Sequence, residues 1–375
     1  VACDTIVKSP GIPNDSSILQ SLNYAEKQVI GEIEWAYWNV DGKIIGITGS
    51  NGKTTTTGLC HHFLESAGIS AAKVGNVGEG FCHFLAEHSA DWYVCELSSF
   101  QLEDVVTFKP EIAILLNITP DHLDRYDFDL NKYADAKMRI AKSMTETDTL
   151  IYNAMDPVTV AKVVSTQIES RLWSIRESDM MEDDKVFVKD DLMLDLSTSR
   201  LMGKHNQVNV IAAARAALLA GCPENMMQSA LESFVNESHR MEWAGEKNEV
   251  RYINDSKATN VDAVYYALEA MKTPVIWIAG GLDKGNDYRA IMDLVKRKVK
   301  ALICLGLDNS KLYEAFSTEV YYISETTTMR EAVRRAASLA SSGDTVLLSP
   351  ACASFDLFKD YRDRGNQFKK EVNEL

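Results

Sequence analysis

Gly46-Ile47-Thr48-Gly49-Ser50-Asn51-Gly52-Lys53-Thr54-Thr55 is the stretch on which the reading of this chain turns. Residues 43–48, Lys-Ile-Ile-Gly-Ile-Thr, are apolar and β-branched, as a strand buried on both faces requires. Residues 54–67 read as a helix stopped by Gly68. A strand, a glycine-rich turn and a helix opening on Lys-Thr together make a phosphate cradle. Backbone N–H groups and the helix dipole face the anion, Lys53 adds positive charge, and the Thr54 hydroxyl suits Mg²⁺. The general phosphate-loop pattern asks for a glycine where Ile47 stands, so a strict search would pass over this site. The alternative is a glycine-rich αβ turn with an incidental lysine. The flanking strand and helix favour a bound nucleotide.

At 375 residues the chain has room for two or three domains. Its 46% apolar and 25% charged residues are ordinary for a globular protein. A net charge of −15 argues against nucleic acid or an anionic membrane as the main partner, so an anionic substrate must meet locally gathered Lys and Arg. The seven cysteines are odd in number, scattered and never in CxxC spacing, which suggests neither a zinc site nor a disulfide framework. That usage fits a reducing cytoplasm. No run is long enough to span a bilayer and no signal peptide is visible. The chain opens on Val1, and residues 3–7 already read as a strand, so an N-terminal truncation is expected.

Residues 1–34 read as the tail of one domain, with a Ser9-Pro10-Gly11-Ile12-Pro13 turn after the strand. From residue 43 strands and helices alternate. Residues 92–97, 111–117 and 148–153 are buried-type strands, 132–143 is helical, 185–198 is a polar-edged hairpin and 206–220 an apolar helix. Residues 232–242 look like a linker. A second series follows, with strands at 250–254, 274–279, 301–305, 320–323 and 345–348, and a helix at 328–341. The rhythm predicts an α/β protein with two tandem doubly wound, mainly parallel sheets. The expected divisions are 1–34, a central domain 35–236 and a C-terminal domain 237–375.

Ligands of open parallel sheets bind beyond the carboxyl ends of the strands, and the polar residues obey that rule. Glu96 ends its strand in Glu96-Leu97-Ser98-Ser99-Phe100-Gln101, and Asn117 ends the next, followed by Thr119-Pro120-Asp121-His122. A carboxylate and an imidazole beside Thr54 suit Mg²⁺ chelated by ATP. Each has an ordinary structural use as well, Glu96 as a lysine's partner and His122 as a helix cap. Lys137, on the helix after His122, reads from composition alone as a solvated lysine. In the second series Asp255-Ser256-Lys257-Ala258-Thr259-Asn260, Gly280-Gly281-Leu282-Asp283-Lys284 and Ser349-Pro350-Ala351-Cys352-Ala353-Ser354 all follow strands. Three polar turns on one edge describe a site for a small anion with carboxylates or phosphates.

These motifs resemble the Mur ligases. Thr48 to Thr55 (TGSNGKTT) and the His122 segment mark the superfamily, which also holds folylpolyglutamate synthetase. Glu96 to Glu103 (ELSSFQLE), Asn254 to Asn260 (NDSKATN), Leu348 to Phe358 (LSPACASFDLF) and Arg364 to Phe368 (RGNQF) are similar to the branch that adds D-glutamate to UDP-N-acetylmuramoyl-L-alanine. The resemblance runs from end to end, but the chain opens late in the family's pattern, with only the Ser9-Pro10-Gly11 loop left of the part that holds UDP.

The resemblance implies a set of site residues. Gly49, Ser50, Asn51, Gly52, Lys53, Thr54 and Thr55 would hold the ATP phosphates, Asn206 and Asn209 adenine, and Arg240 and Asp255 ATP from the C-terminal side. Thr54 and Glu96 would hold one Mg²⁺, and His122 a second, organised by a carbamylated Lys137. Lys53, Glu96, His122 and Lys137 thus form the catalytic set. Ser9, Pro10 and Asn76 would touch the UDP-sugar, and Lys257, Thr259, Lys284, Ser354, Phe355 and Tyr361 would surround D-glutamate. The family often shows leucine and phenylalanine at the last two positions, where Phe355 and Tyr361 stand here.

The implied reaction phosphorylates the L-alanyl carboxylate with ATP, and the amine of D-glutamate displaces the phosphate. A cytoplasmic monomer acting in peptidoglycan synthesis is expected, gated by closure of its C-terminal domain and weakened by truncation. The rivals are a folylpolyglutamate synthetase-like amide ligase and a nucleotide-binding fragment without ligase activity.

Overall fold

The computed structural model describes residues 3–21, 27–201 and 203–375. The chain divides into two compact units, Val1–Arg200 with Asn206–Val235, and Leu201–His205 with Asn236–Leu375.

The first unit opens with two short strands, β1 (Thr5–Lys8) and β2 (Gln28–Gly31), paired in parallel. Six more follow: β3 (Lys43–Thr48), β4 (Ala71–Gly75), β5 (Trp92–Glu96), β6 (Ile112–Leu115), β7 (Thr149–Asn153) and β8 (Arg171–Ile175). They form one parallel sheet in the order β4-β5-β3-β6-β7-β8. A hairpin of β9 (Lys185–Lys189) and β10 (Leu192–Asp195) stands apart from it. After Lys43, β3 is buried along its length, as are β5 and β6, which is why these strands are continuous runs of Ile, Val and Leu. From β3 the chain passes to β4 and β5 on one side, then crosses to β6 on the other. The crevice at that crossing lies at the carboxyl ends of β5, β3 and β6, where such sheets bind ligands.

The second unit repeats the plan. Its strands are β11 (Glu242–Lys247), β12 (Val250–Asn254), β13 (Val275–Ala279), β14 (Val299–Leu305), β15 (Tyr322–Thr326) and β16 (Thr345–Leu348), in the order β11-β12-β16-β13-β14-β15. All neighbours are parallel except β11, which runs antiparallel to β12 and covers that edge. Trp277 packs edge-on against Phe316 on one face, while Tyr252, Ile303 and Phe368 fill the other. Gly281 lies at a close approach of two loops. It has φ +127°, and a Cβ there would stand 2.2 Å from the Ala353 carbonyl oxygen.

The alternating plan matches the reading of the sequence, and the departures have local causes. β4 (Ala-Ala-Lys-Val-Gly), β8 and β11 carry too little apolar sequence to announce themselves as strands, being edges of their sheets. The expected linker at 232–242 is bounded by the end of the helix Glu224–Ser233 and the start of β11. The strand expected at 320–323 begins two residues later, because the Val320 N–H closes the preceding helical turn on the Phe316 carbonyl. The helix expected at 132–143 starts earlier, capped by Asp129, and its α-helical part ends at Met138.

Glu34 fastens the helix Glu32–Asn39 to the segment after β5. Its fully buried carboxylate accepts from the N–H groups of Val106 (2.9 Å), Thr107 (2.7 Å) and Phe108 (2.9 Å) and from Trp38 Nε1 (2.9 Å). Burial pushes this carboxyl up, but the hydrogen bonds from Thr107 and the three amides outweigh it and hold it below its ordinary 4.5. Its contribution to stability is therefore complete above 4.5 and lost as the pH falls through the lower folded value. Glu34→Ala, which leaves three amides without an acceptor, is expected to cost about 3 kcal/mol in thermal or urea unfolding. Glu34→Gln should flatten the acid limb of the stability profile, and an unchanged limb would show that Glu34 does not carry it.

Candidate active site

The helix Lys53–Ser66 starts at Gly52, whose φ of +88° belongs to the left-handed region, and no side chain caps it. A helix start of this kind leaves its dipole end to an anion. A Cβ on Gly52 would come 2.4 Å from Asn209 Oδ1, so the loop can lie there only because residue 52 is glycine. The rest of the loop is held from outside. Asn117, just past β6, brackets Asn51, accepting from its N–H at 2.8 Å and donating to its carbonyl at 3.0 Å. The Ser50 hydroxyl donates to the Thr119 carbonyl and accepts from the Thr119 N–H, both at 2.9 Å, with the Tyr133 hydroxyl 3.1 Å away. Ser50 is thus spent on shaping the loop. Asn117, placed at a strand end by the sequence but given no role, is its clamp.

Two lysines meet on one acceptor. Lys53 Nζ donates to the carbonyls of Gly49 (2.7 Å) and Ser50 (2.8 Å), and Lys137 Nζ donates to the same Gly49 oxygen at 2.8 Å. Lys137 is fully buried with its amine over the Tyr133 ring, which overturns the solvated lysine that composition suggested. Burial first, and the charge on Lys53 second, hold the Lys137 amine well below the usual lysine range, against the opposing pull of Asp121 and Glu96. Burial is a property that no local pattern in the sequence disclosed.

Glu96, the last residue of β5, is buried. Its Oε1 accepts from Asn76 Nδ2 at 2.8 Å, while its Oε2 is buried with no hydrogen-bond partner. An anionic oxygen in that state is a natural seat for a cation. Asn76 also donates its N–H to the Glu96 carbonyl at 2.9 Å, so it braces the carboxylate in addition to whatever it meets outside. His122 adopts φ 51° and leaves its side chain 46% exposed, with Asp121 3.7 Å away. Its ring meets the Phe100 ring edge to face, at 5.2 Å between centroids. Among the described residues no group of three His, Cys, Asp or Glu side chains gathers to hold an ion by itself. Asn206 and Asn209 are buried in the helix Lys204–Leu219, Asn209 donating to Asn206 Oδ1 at 2.9 Å, with the Asn209 carboxamide against Gly52.

In the second unit the loops after β12, β13 and β16 are laced together. The Asp255 N–H donates to the Leu348 carbonyl, Gly280 to Pro350, Leu282 to Ala353 and Ala351 to Ala258. Through them runs Arg364, buried in the C-terminal helix Tyr361–Asn373, donating to Ser256 Oγ (3.0 Å) and to the carbonyls of Ser256 (2.8 Å), Cys352 (3.1 Å) and Gly280 (3.3 Å). Sequence reasoning gave Arg364 no role. The available signal was its spacing with Phe368 and Val372, which puts a guanidinium on the buried face of a helix.

Asp255 is buried, accepting from Ser349 Oγ (2.9 Å) and the Met241 N–H (3.1 Å). Burial pushes its carboxyl up to about 7, against these two bonds and the nearby Arg240 and Arg364. Lys257 lies over the Tyr361 ring, Thr259 is half-buried, Lys284 is exposed and Arg240 is half-buried. Ser354 is buried, whereas Phe355 is 68% exposed. In the first unit, Ser9 is exposed and Pro10 half-buried in a turn closed by the Ile12 N–H on the Ser9 carbonyl at 3.0 Å.

The same plan recurs in known proteins. Residues 47–217 match the Mur ligase middle domain, and residues 239–352 match the Mur ligase glutamate ligase domain. The UDP-N-acetylmuramoylalanine--D-glutamate ligase of Christiangramia forsetii is 44% identical over 99% of this chain and 86% of its own length. That of Bacteroides fragilis is 44% identical over 100% of this chain and 86% of its own. Among solved structures, the MurF ligase of Thermotoga maritima aligns with a TM-score of 0.69 at 16% identity, over 99% of this chain and 95% of its own. The UDP-N-acetylmuramate-alanine ligase MurC from the same organism gives 0.67 at 17%, over 99% and 85%; both show a shared fold. With two mainly parallel sheets and relatives along its whole length, this chain belongs to the Mur ligase family.

Proposed function

We propose that the chain joins D-glutamate to UDP-N-acetylmuramoyl-L-alanine with ATP, a cytoplasmic step in peptidoglycan synthesis. The observation that carries this reading is the Glu96 carboxylate, buried at the end of β5 with one oxygen braced by Asn76 and the other without a partner. It stands on the strand next to an uncapped helix start, the setting a chelated nucleoside triphosphate needs. In this reading residues 1–34 with Ser9 and Pro10 serve the UDP-sugar, 35–236 serve ATP, and 237–375 serve the amino acid. The long, 44%-identical alignments with D-glutamate ligases support that assignment.

The residues present fit Mg²⁺, with Thr54 and Glu96 as ligands for one ion and His122 for another. Bound there, Mg²⁺ neutralises the charge that gathers as the γ-phosphoryl group moves to the alanyl carboxylate. The remaining work falls to the chain. Lys53 releases its own loop carbonyls for the phosphates, and the Gly52 helix start orients them. Asn206 and Asn209 receive adenine. Lys257, Thr259, Lys284, Ser354, Phe355 and Tyr361 enclose D-glutamate, whose amine attacks the acyl phosphate and expels phosphate. Lys137 is suited to carbamylation because an uncharged amine is the form that takes up CO₂, and burial favours that form.

Phosphate release measured with a panel of amino acids and acceptors tests the assignment. Turnover is expected with D-glutamate and UDP-N-acetylmuramoyl-L-alanine, and turnover on folate without it would overturn the reading. Glu96→Gln should lower kcat about 100-fold and weaken Mg²⁺ dependence, with the melting temperature little changed. Lys137→Ala should abolish activity, and bicarbonate should restore part of it. Intact-protein mass spectrometry of the unmodified chain under CO₂ should show the added carbamate, and an active, bicarbonate-insensitive variant would remove that role.

A further inference from the structure

Glu96 to Glu103 marks the chain's branch of the family, yet the proposed chemistry uses only its first residue. The rest of the motif has a visible task. Ser98 and Gln101 form a capping box that starts the short helix Ser99–Leu102, which fixes the direction of Phe100 and Glu103. Both point at Arg125, in the turn Leu123–Tyr126 that follows His122. Arg125 Nε and Nη2 donate to the two oxygens of Glu103 at 3.2 and 2.8 Å, and its guanidinium lies 4.1 Å from the Phe100 ring centroid. The Phe100 ring in turn carries the His122 imidazole. The remaining arm of the fork, Nη1, donates to the Pro10 carbonyl at 3.0 Å.

The turn at 9–12 has a second tether beside the first. Lys8 Nζ donates to the Ile12 carbonyl at 2.8 Å and pairs with Asp104 at 2.6 Å, both side chains being buried. Neighbouring residues of one segment, Glu103 and Asp104, thus hold the turn from two sides. Glu103 also accepts from the Tyr126 hydroxyl at 2.5 Å, and the Tyr126 ring lies 5.3 Å from that of Tyr133, whose hydroxyl meets Ser50. The tip of the turn is exposed, and a Cβ added at Gly11 would meet nothing within 4 Å. Packing does not explain so specific a hold on an exposed turn.

We propose that Arg125 is a positioning residue that carries the turn at 9–12 and His122 as one body, and so sets the UDP-sugar in register with the phosphate loop. This rests on the proposed ligase function. One planar guanidinium serves Glu103, Pro10 and Phe100 at once, which a lysine cannot reproduce.

The test measures all three KM values, the melting temperature and hydrogen exchange for Arg125→Lys and Arg125→Ala. Arg125→Lys should raise KM for UDP-N-acetylmuramoyl-L-alanine about 10-fold, leave those for ATP and D-glutamate within about 2-fold, and speed exchange at the Ile12 amide. Arg125→Ala should do the same or more. Equal rises in all three KM values with a fallen melting temperature would mean a structural clip and overturn the proposal, as would unchanged KM and exchange. If the unmodified chain does not turn over the UDP-sugar, the ligase assignment fails instead. Exchange at Ile12 then decides the coupling, faster in the variants if Arg125 holds the turn and unchanged if it does not.

Discussion

One carbonyl oxygen, that of Gly49, receives two lysine side chains, one of them fully buried, and the shape of the loop follows from that crowding. Burial first, and the neighbouring Lys53 charge second, hold the Lys137 amine well below the usual lysine range. Lys53 is half-buried, while Lys137 is fully buried. The arrangement requires Gly49 and Gly52 to take positive φ, Asn117 to brace Asn51, and Ser50 to spend its hydroxyl on Thr119. The loop's open backbone is thus shaped by side chains that themselves bond to other segments.

The second unit solves a similar problem with one buried cation. Arg364 draws together the loops after β12, β13 and β16 by donating to Ser256, Gly280 and Cys352. A buried guanidinium is costly unless each donor finds an acceptor, and here the acceptors are carbonyls at strand ends that would otherwise need water. Gly281 makes the lacing possible by letting its backbone come within reach of Ala353. The lysines assigned to the amino acid stand on loops whose bases are rigid.

The Glu96 to Glu103 segment serves several ends within eight residues. Its first residue faces the phosphate loop, its capping box starts a helix, and its aromatic ring and second carboxylate hold Arg125. Glu34 then accepts from the amides just beyond it, so the segment is held at both ends. Tight local wiring of this kind explains why one short motif can mark a branch of a family.

The alternation of buried strands and helices was plain in the sequence, because strands covered on both faces must be unbroken apolar runs; edge strands such as β4 and β11 carry no such obligation and went unseen. The phosphate loop was legible too, since its glycines and Lys-Thr sit next to one another and act through adjacent backbone. Residues whose roles depend on neighbours distant in the chain were not. Composition put Lys137 in solvent, and its burial against Gly49, 88 residues away, exists only once β3 and the helix Leu130–Met138 are packed. Arg125 and Arg364 had no role assigned for the same reason, their acceptors lying 115 and 108 residues away at Pro10 and Ser256. The sequence by itself determined the strands, the helix starts and the chemistry held in contiguous motifs. Only the tertiary structure decided which charges are buried, and hence which lysine is desolvated and which arginines hold the loops, because desolvation and long-range hydrogen bonds are properties of packing.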